Sequence, residues 1–215
     1  MEKKIGILGS GIVGKTLAAG FAKHGYEVMI GSDTPAKREE LTREMPAPVQ
    51  VGSLTETAAF GEILVLAVKG FSAVATLQKA GLANLKGKTI LDTTNPILET
   101  GPVNGVLQYF TAQNESLMER FQAAAPEANF VKCFSCVGAY LMVDPQIGGT
   151  KPTMFICGNN DTAKETTKSI LDEFGWEYED CGTVEAARAI EPLAMLWCIP
   201  GFRENRWMHA FKLLK

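Results

Sequence analysis

The sequence predicts an α/β protein: a doubly wound parallel sheet followed by a small C-terminal α+β part. Three observations predict it. Short apolar, β-branched runs alternate with segments of helical periodicity over roughly the first 134 of the 215 residues. A glycine-rich loop, Gly9-Ser10-Gly11-Ile12-Val13-Gly14, separates the first apolar run from the first helical segment. Hydrophobic residues at 46% and charged residues at 21% describe a chain that buries a core.

Lys3–Leu8 is predicted as the first strand, and Ile12–His24 as a helix that sets Leu17, Ala18, Phe21 and Ala22 on one side. Gly25 stops it, and Tyr26–Ile30 returns as a strand, which completes a βαβ unit. The alternation continues with a helix over Pro35–Met45, a short strand at Val49–Val51, a helix at Leu54–Phe60 and a strand at Ile63–Val68. A helix over Phe71–Ala80 and a strand at Lys88–Asp92 come next, then a loop with Asn95-Pro96 and an irregular stretch containing Gly101 and Gly105. Helical spacing between Val106 and Ala125 precedes the strand Asn129–Phe134. Beyond a Gly/Pro-rich loop at Gly138–Pro152, the pattern gives a strand at Met154–Cys157, a helix at Thr162–Phe174 and a strand at Trp176–Tyr178. Two helical segments, Thr183–Leu196 and Arg203–Leu213, close the chain. Residues 1–135 are thus expected to form the larger domain and 136–215 the smaller part.

Several function classes are disfavoured. A formal charge of -3 offers no broad basic surface, so no nucleic-acid partner is expected. The longest apolar runs, such as Leu193–Pro200, fall far short of the roughly 18 residues of a membrane span. A strand beginning at Lys3 leaves no room for a secretory leader, so a cytoplasmic protein is expected. The five cysteines are an odd number and read as reduced thiols rather than a disulfide framework. No His, Cys and carboxylate set has zinc-like spacing, so no metal is expected.

The glycine loop lies between strand and helix, the context in which G-x-G-x-x-G binds a dinucleotide. Gly9 permits the tight turn, Gly11 lets the backbone approach a pyrophosphate, and Gly14 allows close helix–strand packing, while helix N–H groups face the phosphates. The end of the second strand, Ile30-Gly31-Ser32-Asp33-Thr34, leaves the choice of dinucleotide open. Ser32, with Lys37 and Arg38 at the next helix start, suits a 2′-phosphate and hence NADP, the leading expectation. Asp33 suits NAD if it meets the ribose, and is structural if it caps the helix at Pro35.

The Gly9 loop, Gly31-Ser32, Ala67-Val68, Asp92-Thr93-Thr94-Asn95-Pro96 and Val131-Lys132-Cys133-Phe134 together resemble the NADP oxidoreductase, coenzyme F420-dependent family. The resemblance extends to Cys181-Gly182-Thr183, Ala187-Arg188 and Glu191-Pro192-Leu193-Ala194, and so covers nearly the whole chain. It implies a Rossmann domain, a small C-terminal part, and hydride exchange between NADP and a deazaflavin in the cleft between them. It also implies that Ser10, Ile12 and Val13 lie along the cofactor phosphates, Ser32 and Lys37 near the 2′-phosphate, and Val68 and Asn95-Pro96 near the nicotinamide. The chain departs from the family at Asp33, where Arg is usual, and at Ser135-Cys136, where Asn and a small residue are usual.

Hydride transfer needs no protein nucleophile, and no residue is singled out as catalytic. His24 reads as a polar cap at a helix end, and His209 as a solvent or interface residue. Cys133 and Cys136 form a CxxC at a strand end, which suits small buried residues better than a redox pair. Asp92 suits either bonds within the Thr93-Thr94-Asn95 loop or a cap, and Arg188 and Glu191, three apart on one helix face, suit either a surface pair or a role in the cleft. Trp197, Phe202, Trp207 and Phe211, with Met195 and Met208, suit core packing, a homodimer seam or a wall of the substrate pocket, and a homodimer is expected. Three functions stay open: an NADP(H) oxidoreductase with a flavin-like or deazaflavin (F420-type) partner, an NAD(P)H reductase of a small carbonyl or imine, and a non-catalytic dinucleotide sensor.

Overall fold

A computed structural model describes residues 3–215. Six parallel strands form one sheet: β1 (Lys4–Leu8), β2 (Glu27–Gly31), β3 (Gln50–Gly52), β4 (Ile63–Leu66), β5 (Thr89–Asp92) and β6 (Asn129–Lys132), in the order β3-β2-β1-β4-β5-β6. The chain crosses between them through α1 (Ile12–Lys23), α2 (Pro35–Glu44), α3 (Leu54–Phe60), α4 (Gly70–Ala80) and α5 (Leu117–Ala124). Strand order reverses between β1 and β4, so the loops after these strands splay apart and leave a crevice at the carboxyl edge of the sheet.

The central strands are largely apolar because both faces are covered; every residue of β4, Ile-Leu-Val-Leu, is buried. Alternation divides the core into two layers. Ile5, Ile7 and Val65 face one layer with Leu17 and Phe21 of α1, and Leu64 and Leu66 face the other with Leu77 of α4 and Phe121 of α5.

Downstream lie β7 (Thr153–Ile156), α6 (Asp161–Glu173), β8 (Glu177–Asp180), α7 (Ala187–Ile190) and α8 (Leu193–Glu204). The parallel pair β7-β8 is joined to the main sheet by an antiparallel bridge, Lys132 to Cys157. Met154, Ile156, Phe174, Trp176 and Trp197 belong to the same apolar layer as Ile5 and Phe21, so the residues after 135 complete the first core.

Two expectations are corrected and one alternative is decided. The helix over Val106–Ala125 is confined to Leu117–Ala124, where Ser116 begins it with a capping box against Glu119. Before it, residues 97–110 form an arm, with antiparallel bridges Ile97 to Tyr109 and Val103 to Val106. Asn104 and Gly105, at φ 50° and 85°, make its two-residue turn. The helix over Arg203–Leu213 is also absent: α8 ends at Glu204, Asn205 adopts the left-handed cap, and the tail runs extended beside β7, where Phe211 O accepts from Thr153 N at 2.9 Å. Trp207 packs on Trp197 with ring centroids 5.6 Å apart, and His209 stacks on the same indole at 5.0 Å, so these rings serve their own chain.

Arg188 and Glu191 do not form the surface pair. Glu191 is buried, and Arg188 Nε instead donates to Glu119 Oε2 at 3.0 Å. The Arg188 guanidinium holds the Glu119 carboxyl down at about 2. A carboxyl depressed on folding contributes stability above its ordinary value of 4.5 and loses it as pH falls toward about 2. Urea midpoints of Glu119→Gln should therefore fall less than those of the parent between pH of about 5 and about 3. Equal slopes would remove this pair from the acid response.

His24 closes α1 through its backbone N–H, and its ring sits between Asp144 (3.1 Å) and Glu173 (3.4 Å).

Candidate functional site

The three loop glycines meet different constraints. Gly9 has φ +133°, and a Cβ there would stand 2.2 Å from Ala67 O; at Gly14 it would stand 2.2 Å from Gly9 O. Both glycines are required by the fold itself. Gly11 has ordinary extended backbone, and a Cβ there would meet nothing within 4 Å. No side chain caps α1 at Gly11, and its first turn carries no acidic residue, so its leading N–H groups face the crevice unpaired. These features fit the phosphates of a dinucleotide: a donor-rich helix end beside open space.

The crevice holds two cavities on either side of the loop. The larger, about 570 Å³, is bordered by Gly11, Ile12, Val13, Val68 and Asn95, with Phe71, Ile97 and Leu98 making it largely apolar. The smaller, about 190 Å³, is mixed in character and lies between Gly9-Ser10 and the end of β2, against Ser32, Asp33 and Lys79. Val68 lines both.

Of the sequence-selected residues, the structure brings Gly9, Ser10, Gly11, Ile12, Val13, Ser32, Asp33, Val68 and Asn95 to this crevice. Gly14 is packed beneath the loop, and Pro96 lines neither cavity. Lys37 lines neither as well; its Nζ donates to Glu40 Oε1 at 2.6 Å. Asp33 does not cap α2, whose N-terminus has no side-chain cap; its Oδ2 accepts from Lys79 Nζ at 2.6 Å. Lys79, in the last turn of α4, was not selected from the sequence.

Beneath the larger cavity the loop after β5 is held by a buried charge cluster. Asp92 Oδ1 accepts from Thr94 N (2.9 Å) and Thr94 Oγ1 (2.7 Å), so it bonds within its loop. Lys132 Nζ lies 2.6 Å from Asp92 Oδ2 and 2.9 Å from Glu191 Oε1, and donates to Thr94 O at 2.9 Å. Glu191 also accepts from the N–H groups of Leu117 and Met118 at the start of α5 (3.0 and 3.1 Å). Burial alone would lower the Lys132 pKa, but the Asp92 and Glu191 carboxylates outweigh it and raise it above the ordinary lysine value. Asn95 donates through Nδ2 to Ser135 O at 2.7 Å, while its buried Oδ1 has no hydrogen-bond partner among the described residues.

Cys133 and Cys136 are buried free thiols. Burial raises Cys133 far above the usual thiol range and Cys136 to about 12, so both stay protonated and inert as nucleophiles. Among the described residues no cluster of His, Cys, Asp or Glu could hold a metal ion, and no helix is long and apolar enough to cross a membrane.

Residues 4–96 match the family described as NADP oxidoreductase, coenzyme F420-dependent. A crystal structure of a candidate F420-dependent NADP-reductase from Arthrobacter sp. FB24 is 31% identical, with full coverage of both chains and a TM-score of 0.89. The metalloreductase STEAP3 of Rattus norvegicus is 29% identical over 204 residues, 92% of this chain and 38% of the relative. The chain therefore spans little more than a third of the length of that relative. An imine reductase from Pseudomonas sp. shares the fold at 15% identity and a TM-score of 0.63, with 91% of this chain and 60% of the other covered. Fold and site together define a nicotinamide-dependent oxidoreductase. The chain belongs to the NADP oxidoreductase, coenzyme F420-dependent family.

Proposed function

We propose that the crevice holds NADP(H) along the Gly9–Gly14 loop and that hydride passes between the nicotinamide and a flavin-like or deazaflavin partner seated in the larger cavity. The observation that carries this reading is the opening at Gly11, where the uncapped start of α1 meets the apolar cavity lined by Val68 and Asn95. Ser10, Ile12 and Val13 would follow the phosphates, Ser32 and Asp33 the adenosine ribose, and Val68 and Asn95 the nicotinamide. Residues 136–215 would back this site through Glu191 on Lys132, and Ser135 O, just before them, holds Asn95.

The bound nicotinamide supplies a hydride, two electrons carried on one proton, so the protein contributes orientation and exclusion of water. Val68, Phe71, Ile97 and Leu98 give a planar aromatic acceptor an apolar wall. The Arthrobacter relative's description favours a deazaflavin, and the imine reductase keeps a small carbonyl or imine as the second reading.

The test is a titration with NADPH and NADH followed by nicotinamide fluorescence, then addition of oxidised flavin and deazaflavin. Binding with acceptor-dependent oxidation is expected. Binding with turnover of imines alone would replace this reading by the second, and an absence of binding would overturn both.

A further inference from the structure

We infer that Lys79 is the residue that reads the 2′ position of the adenosine ribose, with Asp33 as its exchangeable partner, so that NADP is preferred over NAD by a cation reaching across from α4. The inference rests on the dinucleotide assignment above and goes beyond it in naming the selecting residue.

A carboxylate at the end of the second strand ordinarily accepts bonds from ribose hydroxyls and repels a 2′-phosphate, so Asp33 alone would select NAD. Here it is not alone. Lys79 Nζ, hydrogen-bonded to Asp33 Oδ2 at 2.6 Å, holds the Asp33 carboxyl below its ordinary value, and Arg38 contributes in the same direction. Arg38 is anchored at the same corner through Nη1 on Ser32 O at 3.0 Å. Asp33 and Lys79 line the small cavity, whereas Arg38 lies beside it and is answered in turn by Glu56, so Lys79 is the cation that reaches the cavity itself.

The other lysines near this corner are committed elsewhere. Lys37 pairs with Glu40, and Lys15 with Glu40 and Glu44. The Lys79–Asp33 pair is exposed, with side chains 58% and 45% accessible, so solvent screens it and little holds it closed. A 2′-phosphate, carrying about 1.5 to 2 negative charges, outcompetes one carboxylate for the ammonium. Lys79 then transfers from Asp33 to the phosphate. With NAD the pair stays closed and Asp33 keeps an oxygen for the ribose hydroxyls. The sequence position usually consulted for this choice therefore points the wrong way, because its charge is answered from a helix 46 residues further along.

The experiment is a set of fluorescence titrations with NADPH and NADH on the parent, Lys79→Ala, Asp33→Ser and Lys37→Ala, at low and high salt. Lys79→Ala should weaken NADPH by about tenfold or more and leave NADH within about threefold. Asp33→Ser should act in the opposite sense, tightening NADPH and weakening NADH. The NADPH-to-NADH preference of the parent should shrink with added salt, and that of Lys79→Ala should not. Lys37→Ala should keep the parental preference. Lys79→Ala with an unchanged preference, or preference lost in Lys37→Ala instead, would overturn the inference while leaving the dinucleotide site intact. A parent protein that binds neither dinucleotide would overturn the site and this inference together. Lys79 is exposed and Asp33 half-exposed, so none of these changes disturbs the core.

Discussion

Lys132→Met should destabilise the protein by about 3–5 kcal/mol, because it leaves two carboxylates buried without their cation. Asp92 and Lys132 are fully buried and Glu191 nearly so, at 2.6 and 2.9 Å from the ammonium, and water has no access to replace it. Urea denaturation would show the loss as a lower midpoint. The triple change Lys132→Met, Asp92→Asn and Glu191→Gln should recover most of it, since neutral groups carry no charge desolvation penalty. A triple variant as unstable as the single would mean that packing, and not charge, sets the cost.

The pH dependence follows with a definite sign. A lysine whose pKa is raised on folding contributes stability in full below its ordinary value of 10.5 and loses it as pH rises through the higher folded value. The parent should thus lose stability in strong alkali more steeply than the triple variant. The same cluster fixes Thr94 through its carbonyl and Asp92, so the loop at the larger cavity is set by groups that solvent does not reach.

Gly11→Val should abolish measurable dinucleotide binding, a loss of at least about a hundredfold, or about 2.7 kcal/mol, with the fold preserved. The extended φ at Gly11 admits any residue and its side chain would project into open space, so the stability cost is confined to a poorer N-cap for α1, about 1 kcal/mol. Gly9→Val is the opposite case. The positive φ and the Ala67 carbonyl, 2.2 Å from the new Cβ, make it a folding defect before it is a binding defect. Fluorescence titration beside urea denaturation separates the two; undiminished affinity in Gly11→Val would remove the loop from the site.

The doubly wound sheet was legible because each strand and its crossover helix carry their own signals, and the loop 9–14 lies inside one such unit. The arm at 97–110 was misread although Asn104-Gly105 is a strong hairpin signal. Apolar residues after Val106 match helical spacing, and that spacing masks the turn. The extended tail was misread for a similar reason. Trp207 and Phe211 stand four apart, a helical spacing, yet Trp207 and His209 both pack on Trp197 of α8 and Phe211 packs on Phe155 of β7.

Long-range charge pairing left the weakest trace. Lys132 stands between Val131 and Cys133 in a strand buried on both sides, which demands a counter-charge, but nothing local says that Asp92 and Glu191 supply it. Asp33 was legible as a problem and Lys79 was not legible as its answer, because the lean of one helix over the end of another strand is a property of packing. The spacing of Glu191 to Arg188 fits a surface pair and a cleft role equally well, and burial decides it: Glu191 is the deepest acid of the C-terminal part.

The single core shared by both ends of the chain limits how the crevice exchanges its contents. Phe174, Trp176 and Trp197 are packed into the same layer as Ile5 and Phe21, so there is no hinge about which two halves swing apart. At the larger cavity the arm contributes Ile97 and Leu98 to the lining. The arm is latched at Tyr109, whose hydroxyl donates to Glu191 O at 2.7 Å, on the residue that also grips Lys132. The arm and the floor of the pocket thus share one fastening.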